Sequence, residues 1–406
     1  MEATHMEKLA LQGGQPVRKQ MLHYGQQWIN EADVEAVLNS LQSGFITQGP
    51  AIEKFEKAVA DYAGVKYAVA FASGTAALHG ACFAAGIGAG DEVITTPITF
   101  VASSNCVLYQ GGTPVFADID PNTYNLCPID TERKITDRTK AIVAVDFSGQ
   151  PVEMERFREL ADRYDLVIIQ DAAHSLGADY DGHKVGTLAD MTMFSFHPVK
   201  HVTTAEGGMI VTDNKEFYEK LVLFRSHGIT KDPEQLHENE GPWYYEMQVL
   251  GYHYRMTDLQ AALGTSQIGR LDDFVARRRE IAAQYTEAFR DIPGIKVPYQ
   301  HEKANSSWHL YILRFDQEIF PIGRKELFHA FRAENIGVHV HYIPVYNQPY
   351  YQQLGYARGQ CVEAEKYYEE ALTLPLYPKM TNQDVQDVID ATKKIVRFFR
   401  KQPLSI

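Results

Sequence analysis

From Lys66 onward, short apolar runs alternate with stretches of helical period, the pattern of strands joined by crossover helices. Apolar runs at 67–72, 92–96, 114–117, 141–146, 166–170, 191–196 and 208–212 are each bounded by Gly, Pro, Asp or Ser and predict buried strands. The spacing leaves room for a crossover helix in most gaps. An α/β fold follows, with a mostly parallel sheet and helices on its faces.

After Met256 the pattern changes. Residues 257–290 read as one long helix that starts at a Thr257 cap, ends before Pro293 and Gly294, and connects two domains. Beyond it, strand-like runs at 310–314 and 338–342 mix with helical patterns at 325–334, 362–372 and 382–400, which predicts a smaller α+β domain. In the last helix Thr381 is the candidate cap with Asp384 three positions on, and Val385, Val388, Ile389, Val396 and Phe399 share one face. Its Lys393, Lys394, Arg397 and Arg400 read as a solvated face near the C-terminal end of the dipole. The expected organisation is an N-terminal segment over 1–30, a large α/β domain over 31–256, a connecting helix over 257–292 and a small domain over 293–406.

Composition narrows the partners. The 406 residues are 45% hydrophobic, enough to bury a sizeable core. Lys plus Arg number 39 against 52 Asp plus Glu, a net charge of −13, so the chain lacks the positive field that draws nucleic acid or an anionic membrane. Residues 68–90 carry no charge, but they are rich in Ala and Gly and interrupted by Ser73, Thr75 and His79, as suits a buried strand, turn and helix better than a membrane span. Cys82, Cys106, Cys127 and Cys361 are scattered without the spacing of a metal site or redox pair, so a reducing, cytoplasmic setting is expected. The N-terminus lacks a signal-peptide pattern, and His5 and Met6 leave open an added leader ahead of the natural start.

Three places carry candidate chemistry. Ser73, Gly74 and Thr75 lie between a strand and a helical run, which gives either an anion site at a helix N-terminus or simply a capped turn of small residues. Asp171 closes the apolar run LVIIQ, where a carboxylate needs a cation or donors unless it only caps the next turn; His174 fits a ligand or a turn residue equally. Lys200 lies between the run MTMFSF and the Gly207-Gly208 turn, with Ser195 and His197 close by. Desolvation there disfavours the ammonium and favours the neutral amine, the form that condenses with an aldehyde.

A Ser-Gly-Thr turn, a carboxylate after one strand and a lysine after another together resemble the pyridoxal-phosphate-dependent aminotransferases of fold type I. SFHPVKHVTTAEGG, LGYHYRMTDLQAALG and SSWHLY resemble the DegT/DnrJ/EryC1/StrS sugar aminotransferase family, from about Tyr24 to the last helix. FITQGP, TTPITFVAS, HPVKHVTTAEGGMIVT, LFRSHGI and VHYIPVYNQPYYQQLGY are similar to members acting in pseudaminic acid synthesis.

The resemblance implies a fold-type-I mixed sheet and pyridoxal 5′-phosphate as cofactor, with Lys200 holding it covalently and moving the proton, and Asp171 on its ring nitrogen. It also implies that Ser73, Gly74, Thr75 and Ser195 lie around the phosphate, Phe100 on the ring face and His174 beside it. The implied substrates are L-glutamate and a UDP-linked 4-keto sugar, the latter held by Tyr24, Gly44, Phe45, Ile46, Thr47, His309, His339, Val340, His341 and Tyr342. The family works as a homodimer with shared active sites, which implies that His253 and Arg255 of GYHYR reach across; His253 stands where relatives usually have Asn. Other readings are a different 4-keto sugar as acceptor, a dehydratase, or a cofactor-binding regulator. Relatives that dehydrate carry His in place of the lysine, and an intact Lys200 and Asp171 argue for transamination.

Overall fold

The computed structural model describes residues 8–400, so His5, Met6 and the outermost ends of the chain lie outside the described residues. The seven apolar runs form one sheet: β1 Tyr67–Phe71, β2 Glu92–Thr95, β3 Thr113–Phe116, β4 Thr139–Val145, β5 Val167–Asp171, β6 Met191–Ser195 and β7 Gly208–Thr212. Their order is β1-β7-β6-β5-β4-β2-β3. All neighbours are parallel except β7, which runs antiparallel to both β1 and β6. The sheet is therefore mixed and mostly parallel, and the strand ends fall within two residues of the sequence expectation.

Burial on both faces is what made these strands legible. On β4, Ala141 and Val143 pack into one core while Ile142 and Ala144 pack into the opposite one; on β5, Ile169 and Ile168 divide in the same way. The helices over these faces include α1 Glu31–Gln42, α2 Pro50–Ala63, α3 Gly74–Ala84, α4 Ala102–Tyr109, α5 Pro128–Lys134, α6 Met154–Tyr164 and α7 Lys215–Arg225. The first two were not anticipated by the sequence pattern.

The expected helix over 257–290 is two helices, α8 Asp258–Ile268 and α9 Leu271–Phe289. A buried acid on α1 explains the break. Asp33 accepts from Ser266 Oγ and Gln267 Nε2, both at 2.7 Å, and pairs with Arg270, gathering the end of α8 onto α1. The Thr257 cap is as expected: its Oγ1 accepts from Gln260 N at 3.3 Å while Gln260 Oε1 accepts from Thr257 N at 2.9 Å.

Beyond α9, β8 Ile295–Lys296, β9 Tyr311–Phe315 and β10 Ala371–Leu374 form a second, antiparallel sheet with helices α10 Gly323–Ala333, α11 Val362–Glu370 and α12 Asn382–Arg400. The helical pattern at 362–372 stops at Glu370, because the residues that follow pair with β9. The expected strand at 338–342 does not form; a single bridge joins His339 to Thr373, and the segment then turns over the cavity described below. Thr381 caps α12 as expected, accepting from Asp384 N at 3.1 Å.

Lys394 corrects the expectation of a solvated basic face. It is 7% exposed and donates to Gln15 O at 2.7 Å and to the buried Glu334 carboxylate at 3.0 Å. Leu9 and Leu22 join the same core as Tyr285 and Phe289 of α9, Tyr311 of β9 and Val385 of α12. No helix among the described residues is long and apolar enough to cross a membrane.

Thr257→Ala removes the cap that starts α8 and is expected to lower stability by about 1 kcal/mol. Urea unfolding checks this as a lower midpoint with an unchanged slope.

Candidate active site

The carboxyl ends of β1, β5 and β6 meet the start of β7 along one rim of the sheet, with Gly208 paired to both Phe71 and Ser195. A cavity of about 450 Å³ opens there. Ser73, Gly74, Thr75 and Ser195 line its floor, with Asp171, His174 and Lys200, while Phe100, His197, Glu206, Tyr24, His339, His341 and Tyr342 are among the residues of the wall. The floor residues, far apart in sequence, come together because they close or follow strands that end on this rim.

At the floor, both readings of the Ser73 turn hold at once. Ser73 caps α3 by accepting from Ala76 N at 3.1 Å, and the first amides of the helix, which have no intrahelical acceptor, remain for an anion. Close approach here requires glycine at 208, where a Cβ would lie 2.5 Å from Ser73 O and 2.6 Å from Gly74 N; at Gly74 a Cβ would be tight, 3.3 Å from Ser195 Oγ. The two glycines let β6 and β7 run directly under the helix N-terminus.

Asp171 is buried at the end of β5. Burial pushes its carboxyl up from the usual carboxylate range, opposed by hydrogen bonds from Ser103 Oγ at 2.6 Å and Ala173 N at 3.2 Å and by the Lys200 charge. Burial also holds the Lys200 amine down to about 8, with Asp171 opposing and Arg278 reinforcing. Its Nζ makes no hydrogen bond or ion pair with a described residue, so an electrophile in the cavity meets an uncommitted nitrogen. Ser103 was missed by the sequence reading; it stands beside Ser104 in α4, both are buried, and only the fold sends Ser103 to Asp171 and Ser104 to Tyr351.

The other wall is made of neutral rings. His174 is buried, accepts from Ser148 N at 3.3 Å and lies 3.3 Å from the Tyr342 hydroxyl. Burial drives it, and also His341, well below the ordinary imidazole range. His341 is fixed by Thr373 Oγ1 at 2.8 Å, and Tyr24, His339 and His341 cluster with ring centroids 4.6–5.5 Å apart. Phe100 is 59% exposed at the mouth, 6.4 Å from the Tyr342 ring.

Several expected substrate and cofactor residues lie elsewhere in the single chain. His309 sits behind His174, with ring centroids 4.3 Å apart, in a second layer rather than on the wall. Val340 faces a separate open depression with Arg324 and Phe328, because alternate residues of its segment point to opposite sides. Gly44, Phe45, Ile46 and Thr47 form an exposed loop between α1 and α2, held where Thr47 pairs with Thr257. His253 is exposed and pairs with Ser226, and Arg255 lines a small cleft with Glu56 and Arg225. None of these lines the cavity of its own protomer. Among the described residues no cluster of His, Cys, Asp or Glu could hold a metal ion.

A half-buried amine and a buried carboxylate on one cavity, beside a helix N-terminus, suit an aldehyde cofactor bearing a phosphate. The chain belongs to the DegT/DnrJ/EryC1/StrS aminotransferase family, whose model matches residues 27–393. It is 44% identical over 382 residues to the spore coat polysaccharide biosynthesis protein SpsC of Bacillus subtilis, covering 94% of this chain and 98% of SpsC. Among solved structures it resembles Helicobacter pylori PseC, an aminotransferase involved in the biosynthesis of pseudoaminic acid: 35% identity, TM-score 0.87, 94% of this chain and 100% of that one. Spr1654 of Streptococcus pneumoniae in its PMP form gives 30% identity and a TM-score of 0.88, over 93% of this chain and 100% of that one; it is also solved in a PLP form. The fold is thus the fold-type-I fold of pyridoxal-phosphate-dependent aminotransferases, and the family implies that cofactor. The amine, the carboxylate and the free amides of α3 fit it.

Gly208→Ala should press on the α3 N-terminus and weaken pyridoxal phosphate binding by about ten-fold or more, the worth of one hydrogen bond to a charged group. Absorbance titration of the apoprotein measures it, and unchanged affinity would contradict the assigned cradle.

Proposed function

We propose that this chain is a nucleotide-sugar aminotransferase that takes the amino group of L-glutamate and delivers it to C4 of a UDP-linked 4-keto-6-deoxy-N-acetylhexosamine. The product would be UDP-4-amino-4,6-dideoxy-N-acetyl-β-L-altrosamine, a step of pseudaminic acid biosynthesis. The observation that carries this reading is the meeting of half-buried Lys200 and buried Asp171 on one cavity beneath the N-terminus of α3.

Bound pyridoxal phosphate supplies an aldehyde that stores the amino group and a protonated ring that draws off electrons from the carbon losing its proton. Lys200 Nζ, whose pKa burial lowers to about 8 so that the free amine is within reach near neutral pH, accepts that proton from the donor and later returns one to sugar C4. Asp171 holds a proton on the ring nitrogen, and the Ser103 and Ala173 bonds keep its carboxylate aimed there. Gly74, Thr75, Ser73 and Ser195, all on the cavity, would hold the phosphate, Phe100 would cover the ring face, and His174 would stand beside it. Tyr24, His339, His341 and Tyr342 offer the sugar nucleotide rings and hydrogen bonds without a permanent buried charge.

The exposed loop at 44–47 and the His253 and Arg255 pair are assigned to the active site of a partner protomer in a homodimer. There His253 would donate to the cofactor phosphate in place of the usual amide. Identity is higher to SpsC, named for spore coat polysaccharide biosynthesis, than to PseC, so the acceptor has a second reading, another 4-keto nucleotide sugar such as one of bacillosamine type or one linked to dTDP.

Glutamate added to the yellow holoprotein is expected to bleach its visible absorbance, and a UDP-4-keto sugar to restore it. Lys200→Ala should lose about 10²- to 10⁴-fold in this exchange, the range of a general acid–base group. Retained colour after glutamate would revive a regulator, and preference for another keto epimer or for dTDP would move the acceptor. Mixing inactive Lys200→Ala and His253→Ala protomers should recover about a quarter of wild-type activity if sites are shared in a random dimer; no recovery would contradict sharing.

A further inference from the structure

Behind Lys200 lies a buried positive charge with no carboxylate beside it. Arg278 of α9 is 1% exposed, and its Nη1 donates only to the carbonyls of Trp308, His309 and Leu376, at 3.3, 3.1 and 2.9 Å. Its Nε has no partner among the described residues. Arg314, the other deeply buried arginine, shows the ordinary arrangement instead, with Glu370 at 2.8 Å. A guanidinium held by carbonyl dipoles alone keeps its field, because nothing of opposite charge cancels it.

The backbone strip at 307–309 connects this charge to the lysine. On one side it takes the Arg278 bonds; on the other, Ser307 O lies 3.1 Å from His201 Nε2, the residue after Lys200. Three buried rings fill the space: His309 is 4.3 Å from His174 and 5.5 Å from His201, centroid to centroid. Nδ1 of both His201 and His309 is unpartnered among the described residues, and burial keeps all three imidazoles well below their usual range, hence neutral. Asp171 on β5 is the opposite charge that pulls Lys200 toward the ammonium, and Glu206 is a second carboxylate on the same cavity, beside His197; His341 faces the lysine from another side, and Arg279 is turned outward to Ser306 O at 2.9 Å.

We propose that Arg278 is a positioning residue for Lys200: its uncompensated charge disfavours a second cation on the cavity wall and so enlarges the fraction of Nζ that is free to accept the substrate proton. This rests on the reading of Lys200 as the base of transamination. Without Arg278, the carboxylate of Asp171 would have only desolvation to oppose its pull toward the ammonium. An anchor joining α9 to the 308–309 backbone and Leu376 would account for the carbonyl bonds but not for any effect of charge.

The test uses apoprotein, with acetic anhydride labelling of Lys200 followed across pH by peptide mapping. The wild-type midpoint is expected near 8. Arg278→Met and Arg278→Gln should move it upward by on the order of one pH unit, while Arg278→Lys, whose own ammonium burial partly neutralises, should give a smaller shift than either. The glutamine variant decides if the methionine variant does not fold. An unmoved midpoint in the neutral variants, or an equal shift in all three, would overturn the proposal. Because no donor or sugar enters, a charge-dependent midpoint in a protein that fails to transaminate would count against the function alone, and an unmoved midpoint in an active enzyme against Arg278 alone.

Discussion

An ammonium and a carboxylate sharing a buried wall each draw the other toward charge, while burial draws both toward neutrality. Lys200 and Asp171 stand in that balance, and their surroundings tip it differently for each. Asp171 receives two donors, from Ser103 and Ala173, which favour the carboxylate. Lys200 receives none among the described residues, and Arg278 adds repulsion. The result is an anion paired with an amine that releases its proton near pH 8, which is the pairing that proton transfer at an acidic carbon requires.

The fold supplies this balance through strand ends. Asp171 closes β5 and Ser195 closes β6, which run in parallel, so both arrive at one rim. Antiparallel β7, slotted between β1 and β6, brings its first residue, Gly208, under the N-terminus of α3. A helix dipole and a carboxylate therefore meet at one cavity, and the loop that joins β6 to β7 brings the Lys200 amine to it. The second sheet contributes the neutral ring wall through Thr373 of β10, which fixes His341.

The central sheet was legible because strands covered on both faces are continuously apolar, as in β4 and β5, where the two cores divide alternate residues. Asp171 and Lys200 stood out because charged residues directly after such runs are costly to bury. What escaped the sequence depended on contacts distant along the chain. Asp33 breaks the 257–290 helix from more than two hundred residues away, Glu334 buries Lys394, and one lone glycine, Gly269, gives little warning of a break. The alternation at 338–342 imitates a strand, yet it reflects a segment with His339 and His341 turned to the cavity and Val340 turned away. His309 carries the right chemistry one layer too deep, and Arg278 was hidden as one of three consecutive arginines on an amphipathic helix. Nothing in the order of residues distinguishes it from Arg277, which is half-buried and bonds to Met380 O.

The most direct test is to incubate the protein with pyridoxal phosphate, reduce it with borohydride, and map the phosphopyridoxyl group by peptide mass spectrometry. The account predicts a single modified residue, Lys200, with the modification absent in Lys200→Ala. Modification of another lysine, or of none, would contradict it.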